Sequence, residues 1–136
     1  MPKRRRGART ARHPSGSRHV GFAALVDRAL ATIPPPFREA LDEVAIVIDD
    51  EPSAEQRRDN DLGTEDDLYG LYEGVPRTEY GADWVALPNR ITLFRLALEE
   101  DFPDPDDLAD EVRLTVIHEL AHHLGIDDDR LDELGV

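Results

Sequence analysis

The sequence His118-Glu119-Leu120-Ala121-His122-His123-Leu124-Gly125-Ile126-Asp127-Asp128 lies near the end of the chain and has the form HExxHxxGxxD. On a helix of 3.6 residues per turn, positions 118 and 122 lie about 40° apart, so both imidazoles can reach one metal ion. Glu119 projects roughly 60° beyond His122, which is too far round for a ligand but close enough for a base acting on a metal-bound water. The spacing therefore predicts a zinc site suited to hydrolysis.

The third metal ligand has to come from the short segment that follows this helix. Gly125 fits the left-handed position just past a helix C-terminus, where the chain turns back toward the ion. Only eight residues follow Asp128, and none of them is His or Cys. The choice is among carboxylates, and we favour Asp128, with Asp127 as its rival and Asp129 beside it. Glu133 would need a second helix folded back over the first, for which the intervening chain looks too short.

These residue types indicate a peptidase mechanism. Two imidazoles and one carboxylate leave a fourth zinc position for water, and Glu119 would take the proton of that water and pass it to the leaving amine. The alternative is a zinc-containing peptide- or partner-binding module with little or no hydrolytic activity, because no second transition-state stabiliser can be assigned. Tyr69, Tyr72 and Tyr80 are unranked candidates for that role. An iron(II) facial triad is disfavoured, since those sites use a β scaffold without the glutamate.

Three ordered blocks of sequence resemble a known family. They are Leu71-Tyr72-Glu73-Gly74-Val75-Pro76, Leu87-Pro88-Asn89-Arg90-Ile91-Thr92-Leu93-Phe94-Arg95, and Val116 to Gly125 together with Asp128. On these residues the segment from about Leu68 to Gly135 resembles the bacterial minimal-zincin metallopeptidase family. The resemblance implies a compact α+β fold, zinc bound by His118, His122 and Asp128, and Glu119 as catalytic acid and base. It implies no particular substrate. Met1 is the sole methionine, so the Met-turn of a full-length metzincin is excluded.

The resemblance implies a minimal zincin-like α+β fold, in which a small mixed sheet packs on a central active-site helix with further helices before it, and the periodicity of apolar residues indicates where the elements lie. Helices are expected at residues 20–33 and 37–43, separated by three prolines. A buried strand is expected at residues 44–48, and an acidic loop at 49–67. Further strands are expected at 68–73 and 90–95, and we nominate the second as an exposed edge to which a peptide substrate could add.

The active helix is predicted to begin near Asp104, which can cap it, and to run to Leu124. Its apolar residues cover more than half of its circumference, which indicates a central position in the fold. Glu111 and Thr115 fall beside the two ligand histidines on the helix surface. His123 points about 100° away from His122, so we interpret it as a structural or supporting group and not as a ligand.

Charge is divided unevenly along the chain, which has a net charge of −14. Residues 1–19 hold seven Lys or Arg and no acid, whereas residues 20–136 hold nine basic and thirty acidic residues. We predict a basic, disordered tail at 1–19, whose contact with nucleic acid would be weak, and a single metallopeptidase domain at 20–136. The chain has no cysteine and no apolar run of membrane-spanning length. These features predict a cytoplasmic protein with no membrane contact. The zinc motif predicts a peptide or protein substrate.

Overall fold

The computed structural model describes residues 3–5, 16–63, 66–74 and 89–133, with side chains for 21–63, 66–74, 89–127 and 129–133. Its helices are α1 (Gly16–Leu30), α2 (Phe37–Ala40), α3 (Ala54–Asp59), α4 (Arg95–Asp101), α5 (Pro105–Leu124) and α6 (Asp128–Glu133). A 3₁₀ turn, Leu41–Glu43, follows α2. Its strands are β1 (Lys3–Arg5), β2 (Ala45–Asp49), β3 (Asp66–Leu68), β4 (Gly70–Glu73) and β5 (Arg90–Phe94).

The main sheet has three strands in the order β2-β5-β4. Strand β2 runs parallel to β5, with Ala45 opposite Arg90, and β4 runs antiparallel to β5, with Leu71 opposite Thr92. A separate antiparallel pair joins β1 to β3. This combination of helices with a small mixed sheet confirms the predicted α+β class.

The nomination of residues 90–95 as an exposed edge strand is wrong. Strand β5 is the centre of the sheet and is hydrogen-bonded to a neighbour on each side. Residues 91–94 are all buried, including the polar Thr92, whose alternation with apolar neighbours indicated a solvent-facing side. The strand at the edge of this sheet nearest the predicted active helix is β4, which packs directly on α5.

Helix α5 is confirmed at the predicted bounds. The Asp104 carboxylate accepts hydrogen bonds from the backbone N–H groups of Asp106 (2.9 Å) and Asp107 (3.2 Å), and Pro105 occupies the first turn. These contacts satisfy N–H groups that a helix start leaves without intrahelical partners. The helix ends at Gly125 in the left-handed conformation, with φ of 73°. The left-handed backbone conformation costs little energy at glycine, because glycine has no Cβ atom to clash.

The core surrounds α5, which packs against α1, α2, α4, α6, β4 and β5. Six apolar side chains on α5 are buried: Leu108, Val112, Val116, Ile117, Leu120 and Ala121. Their partners include Phe22, Leu25, Val26 and Ala29 of α1, together with Ile91 and Leu93 of β5. Because apolar burial supplies about 25 cal/mol per Å², this position in the core dominates the stability of the helix.

The first helices differ from prediction mainly at their ends. Helix α1 begins at Gly16, four residues before the predicted start, and ends at Leu30, three residues before the predicted end. Ile33 is buried in the turn after the helix, so its apolar character reflects packing and not helical periodicity. The predicted helix at 37–43 divides into α2 and a 3₁₀ turn. The strand predicted at 44–48 is confirmed, shifted by one residue.

Three short helices were not predicted. Helix α3 lies within the segment expected to be a loop, and Ser53 and Gln56 form a reciprocal capping box at its start. That Ser-x-x-Gln pattern is a recognisable start signal, but the helix has too little apolar periodicity to be detected otherwise. Helix α4 follows β5 directly, and α6 follows Gly125 after two further residues.

The predicted tail contains two elements. Strand β1 lies at Lys3–Arg5, and α1 includes residues 16–19. The remaining residues of the segment lie outside the described part of the chain, and the disordered tail and single domain stay predictions. In the described residues, no helix is long and apolar enough to cross a membrane.

A buried ion-pair network joins the carboxyl ends of β2 and β5. Arg95 is almost fully buried, and its guanidinium contacts Asp50 (Nε to Oδ1, 3.0 Å) and Glu99 (Nη1 to Oε1, 2.8 Å). The backbone N–H of Leu96 also donates to the Asp50 carbonyl at 3.1 Å. Both acids neutralise a charge that would be costly to bury without partners.

Glu111 lies half-buried on α5, near the end of α4. Burial raises the pKa of Glu111 above its ordinary value of 4.5, and the negative charge of Asp101 raises it further. Asp101 also accepts a hydrogen bond from the Tyr69 hydroxyl. Glu111 therefore faces the acidic end of α4, and its ionised form is disfavoured in the folded protein.

We predict that Gly70→Ala destabilises the fold. A methyl group at this position would lie 2.6 Å from Cγ2 of the buried Thr115, and a β-branched side chain on a helix has little freedom to move. The expected loss in the free energy of unfolding, measured by urea denaturation, is about 1–3 kcal/mol. Adding Thr115→Ser removes the clashing methyl and should restore most of the loss. A Gly70→Ala variant as stable as the parent would contradict the close packing of β4 on α5.

We predict that Glu111→Gln stabilises the protein at neutral pH but not in acid. Folding raises the pKa of Glu111, so the folded protein favours the protonated side chain. The stability that this protonated form contributes is fully present below the unfolded-state pKa and is lost as pH rises through the folded-state pKa. The glutamine side chain stays neutral at every pH, so Glu111→Gln should be more stable than the parent only at pH values above the folded-state pKa of Glu111. Urea denaturation of both proteins from pH 7 downward, with Asp110→Asn at an exposed neighbouring position as control, checks the sign. A constant difference at every pH would contradict it.

Candidate metal and catalytic site

The two candidate ligand histidines lie one turn apart at the end of α5. The helix is unbroken from Pro105 to Leu124, so the spacing that predicts a shared metal ion is present on a continuous helix. The His122 side chain is 42% exposed, and His118 is partly exposed. An ion from solvent could therefore reach this part of the helix.

The Glu119 side chain is fully buried, and edge strand β4 holds its carboxylate. Its Oε1 accepts a hydrogen bond of 2.8 Å from the backbone N–H of Tyr72. The same oxygen lies 3.7 Å from His122 Nδ1. A backbone donor fixes the orientation of a carboxylate more rigidly than a mobile side chain would. The carboxylate therefore stays beside the exposed histidine.

His123 takes part in a different cluster from the two candidate ligands. Its ring is fully buried, with Nε2 2.7 Å from Glu43 Oε1 and Nδ1 3.0 Å from the Tyr72 hydroxyl. The Tyr72 and His123 rings are in contact, with centroids 5.7 Å apart. The sequence interpretation of a supporting group agrees with this position. The sequence did not indicate that Glu43 is a partner of His123, because Glu43 lies 80 residues earlier and belongs to no motif.

The chain turns sharply after α5. The backbone N–H of Ile126 donates to the Ala121 carbonyl at 2.8 Å, which closes the helix end around Gly125. Asp127 is exposed, and its carboxylate accepts from the backbone N–H of Arg130 at 2.9 Å, so it caps α6. Asp128 is the first residue of α6, and its side chain lies outside the described part of the structure.

The other carboxylates of this segment are exposed. The segment after Gly125 forms a second helix, α6, which buries Leu131. Glu133 nevertheless faces solvent and pairs with Arg130 at 2.8 Å. Asp129 is also exposed.

The candidate ligands are of the chemical types that bind zinc in proteins. Two imidazoles on one helix and a carboxylate just beyond its end are ligand types that catalytic zinc sites use. Among the side chains that the structure describes, no three His, Cys, Asp or Glu residues are grouped closely enough to hold a metal ion. The favoured third ligand, Asp128, is not among those side chains. The described residues therefore supply two imidazoles of the type that zinc sites use, His118 and His122, on one helix.

The tyrosines considered as transition-state stabilisers have different surroundings. The Tyr69 hydroxyl donates to Asp101, and the Tyr72 hydroxyl is bonded to His123. Tyr80 lies outside the described residues, as do Val75 and Pro76 of the first sequence block. Thr115 is buried beside Gly70 of β4, so it serves packing between helix and strand.

Most of the chain matches the model of one known protein family. A search of curated proteins gave no match. The model of the family described as zincin-like metallopeptidase matches residues 41–136, which include all of the main sheet, α5 and α6. This match covers more than half of the chain and includes the three sequence blocks that resemble minimal zincins. The chain belongs to the zincin-like metallopeptidase family.

Proposed function

We propose that this chain is a zinc-dependent peptidase that uses Glu119 as its catalytic acid and base. The observation that carries the proposal is the hydrogen bond from the Tyr72 N–H to the Glu119 carboxylate, which holds that group beside His122 at the edge of the sheet. Family membership supports metallopeptidase chemistry. The geometry supports Glu119 as the residue that moves the proton.

His118, His122 and Asp128 are the residues that would hold the metal. The capping contact of Asp127 with Arg130 supports Asp128 over Asp127, because Asp127 already uses one carboxylate oxygen to satisfy the start of α6. When bound, zinc lowers the pKa of a coordinated water and polarises the amide carbonyl of a substrate.

Glu119 would accept a proton from the attacking water and deliver it to the nitrogen of the leaving amine. A general base must lie within hydrogen-bond reach of the proton it removes, and the Tyr72 N–H keeps the carboxylate from rotating away. Burial of Glu119 also excludes bulk water from the carboxylate, which strengthens its interactions with nearby charges.

Strand β4 is the best candidate for substrate alignment. It is at the edge of the main sheet, and its Tyr72 contacts the catalytic carboxylate directly. An extended peptide that pairs with a sheet edge gains backbone hydrogen bonds whatever its sequence, and side-chain pockets then set its preference. A peptide aligned along β4 would pass close to Glu119.

A peptide-binding role without hydrolysis is the second candidate. It is favoured by one observation: both described tyrosine hydroxyls are bonded to other side chains, Tyr69 to Asp101 and Tyr72 to His123. Neither is thereby directed to stabilise an oxyanion. Cleavage assays separate the two candidates.

We predict that Glu119→Gln keeps zinc and loses peptidase activity. The glutamine carbonyl can still accept from the Tyr72 N–H, so the fold should persist while the proton acceptor is lost. The expected decrease in kcat is about 10²–10⁴-fold. Zinc content by mass spectrometry and cleavage of a peptide library, with and without chelator, measure both effects, with Glu55→Gln on α3 as control. Full activity of Glu119→Gln would refute the mechanism. Zinc without cleavage in the parent protein would favour the binding role.

We predict that Asp128→Ala and His122→Ala lose zinc, whereas Asp127→Ala keeps it. Asp127→Ala should instead cost about 1 kcal/mol of stability, because it removes the cap of α6. Competition with a chromogenic zinc chelator measures affinity, and urea denaturation measures stability. Loss of zinc from Asp127→Ala with retention by Asp128→Ala would reverse the assignment of the third ligand.

A further inference from the structure

His123 is a buried titratable group that the proposed reaction does not use. An imidazole placed in the core is costly unless its polar atoms have partners. Both ring nitrogens have one: Glu43 at 2.7 Å and the Tyr72 hydroxyl at 3.0 Å. The Glu43 side chain is 37% exposed, so the cluster extends from the core to the surface.

The chemistry of the partners assigns the donors in this cluster. An ionised carboxylate can only accept a hydrogen bond, so the N–H at His123 Nε2 donates a hydrogen bond to Glu43. In the neutral ring that leaves Nδ1 as an acceptor, and the Tyr72 hydroxyl donates to it. The direction of each bond is thus set by Glu43, which fixes one tautomer of His123.

Tyr72 connects this cluster to the catalytic carboxylate. Its hydroxyl bonds to His123 and its backbone N–H bonds to Glu119, so one strand residue contacts α5 at two positions. Positions 119 and 123 are one helical turn apart, on neighbouring parts of the helix surface. Strand β4 is therefore fastened to α5 at the residue that orients the carboxylate.

We propose that Glu43, His123 and Tyr72 form a positioning cluster that fixes Glu119 for catalysis. The cluster acts through the backbone of Tyr72: when its side chain is anchored, its N–H stays directed at Glu119 Oε1. Neither Glu43 nor His123 contacts the substrate. This inference rests on the proposed peptidase function for its effect on turnover, but its effect on the Tyr72 N–H is a property of the folded protein alone.

The first test measures hydrogen exchange of the backbone amide at position 72 by NMR in metal-free protein. Tyr72→Phe removes the hydroxyl and keeps the ring and the N–H, and we expect exchange at position 72 to accelerate about tenfold, as the loss of one net hydrogen bond predicts. The matched control is Tyr69→Phe, which removes the hydroxyl bonded to Asp101 and should leave exchange at position 72 unchanged. Exchange of the buried Val116 amide in both variants monitors global unfolding.

Glu43 variants test the same cluster from its other end. Glu43→Gln keeps an oxygen that can accept from His123 Nε2, so exchange at position 72 should stay near the parent rate. Glu43→Ala removes that acceptor and should accelerate exchange as Tyr72→Phe does. Acceleration of equal size in Glu43→Gln and Glu43→Ala, or no acceleration in Tyr72→Phe, would overturn the proposal.

Kinetic measurements on the same variants test whether the positioning of Glu119 affects kcat. We expect Tyr72→Phe to decrease kcat about tenfold or more, with KM and zinc affinity within about twofold of the parent, since the position of Glu119 matters to the transition state and not to binding. Accelerated exchange with unchanged kcat would overturn the catalytic role of the cluster. If the parent protein binds zinc but cleaves nothing, and Tyr72→Phe still accelerates exchange at position 72, the peptidase function is refuted and the positioning of Glu119 is supported.

Discussion

Burial of the Glu119 carboxylate on α5 is the constraint on which the arrangement of this domain depends. A charged group placed inside a protein is costly unless hydrogen bonds replace those it made to water. The Tyr72 N–H supplies one replacement, and it is available because β4 lies at the sheet edge with its backbone directed at the helix. The apolar side chains of α5 bring the helix into the core, and this polar contact fixes where along the sheet the helix sits.

Close packing reinforces that contact. Gly70, two residues before Tyr72 and therefore on the same face of β4, lies so close to Thr115 that a methyl group would not fit. Glycine thus sets the approach of strand to helix, while the Tyr72 hydroxyl and N–H set the register between them. On the other side of the sheet, Arg95 fastens β5 to the end of β2 through Asp50. Since β5 is hydrogen-bonded to both outer strands, it connects the helix contacts of β4 with the ion pair at the end of β2.

Features decided by local chemistry were predictable from the sequence, and features decided by distant pairing were not. Helix α5 was predicted at both ends because Asp104 and Gly125 carry the cap signals within the sequence itself. The parallel pairing of β2 with β5 joins segments about 45 residues apart, so no local pattern specified that β5 would be central. Glu43 is a similar case, because an acidic residue in a 3₁₀ turn has no distinguishing feature until the fold brings it to His123. The spacing of the candidate ligands could be read from the sequence, whereas the contacts of Tyr72 with Glu119 and His123 could not.

Helix α1 shows that the matched family region does not account for the whole core. The match begins at residue 41, after α1 and α2, yet α1 packs directly on α5 with Phe22, Leu25 and Val26 fully or nearly buried. Burying such side chains contributes about 1.5–3 kcal/mol each, which is a large share of the net stability of a small domain. The helix that carries the histidines and Glu119 is therefore stabilised in part by a segment outside the family match. The stability of the site in this chain consequently depends on α1 as well as on the residues that define the family.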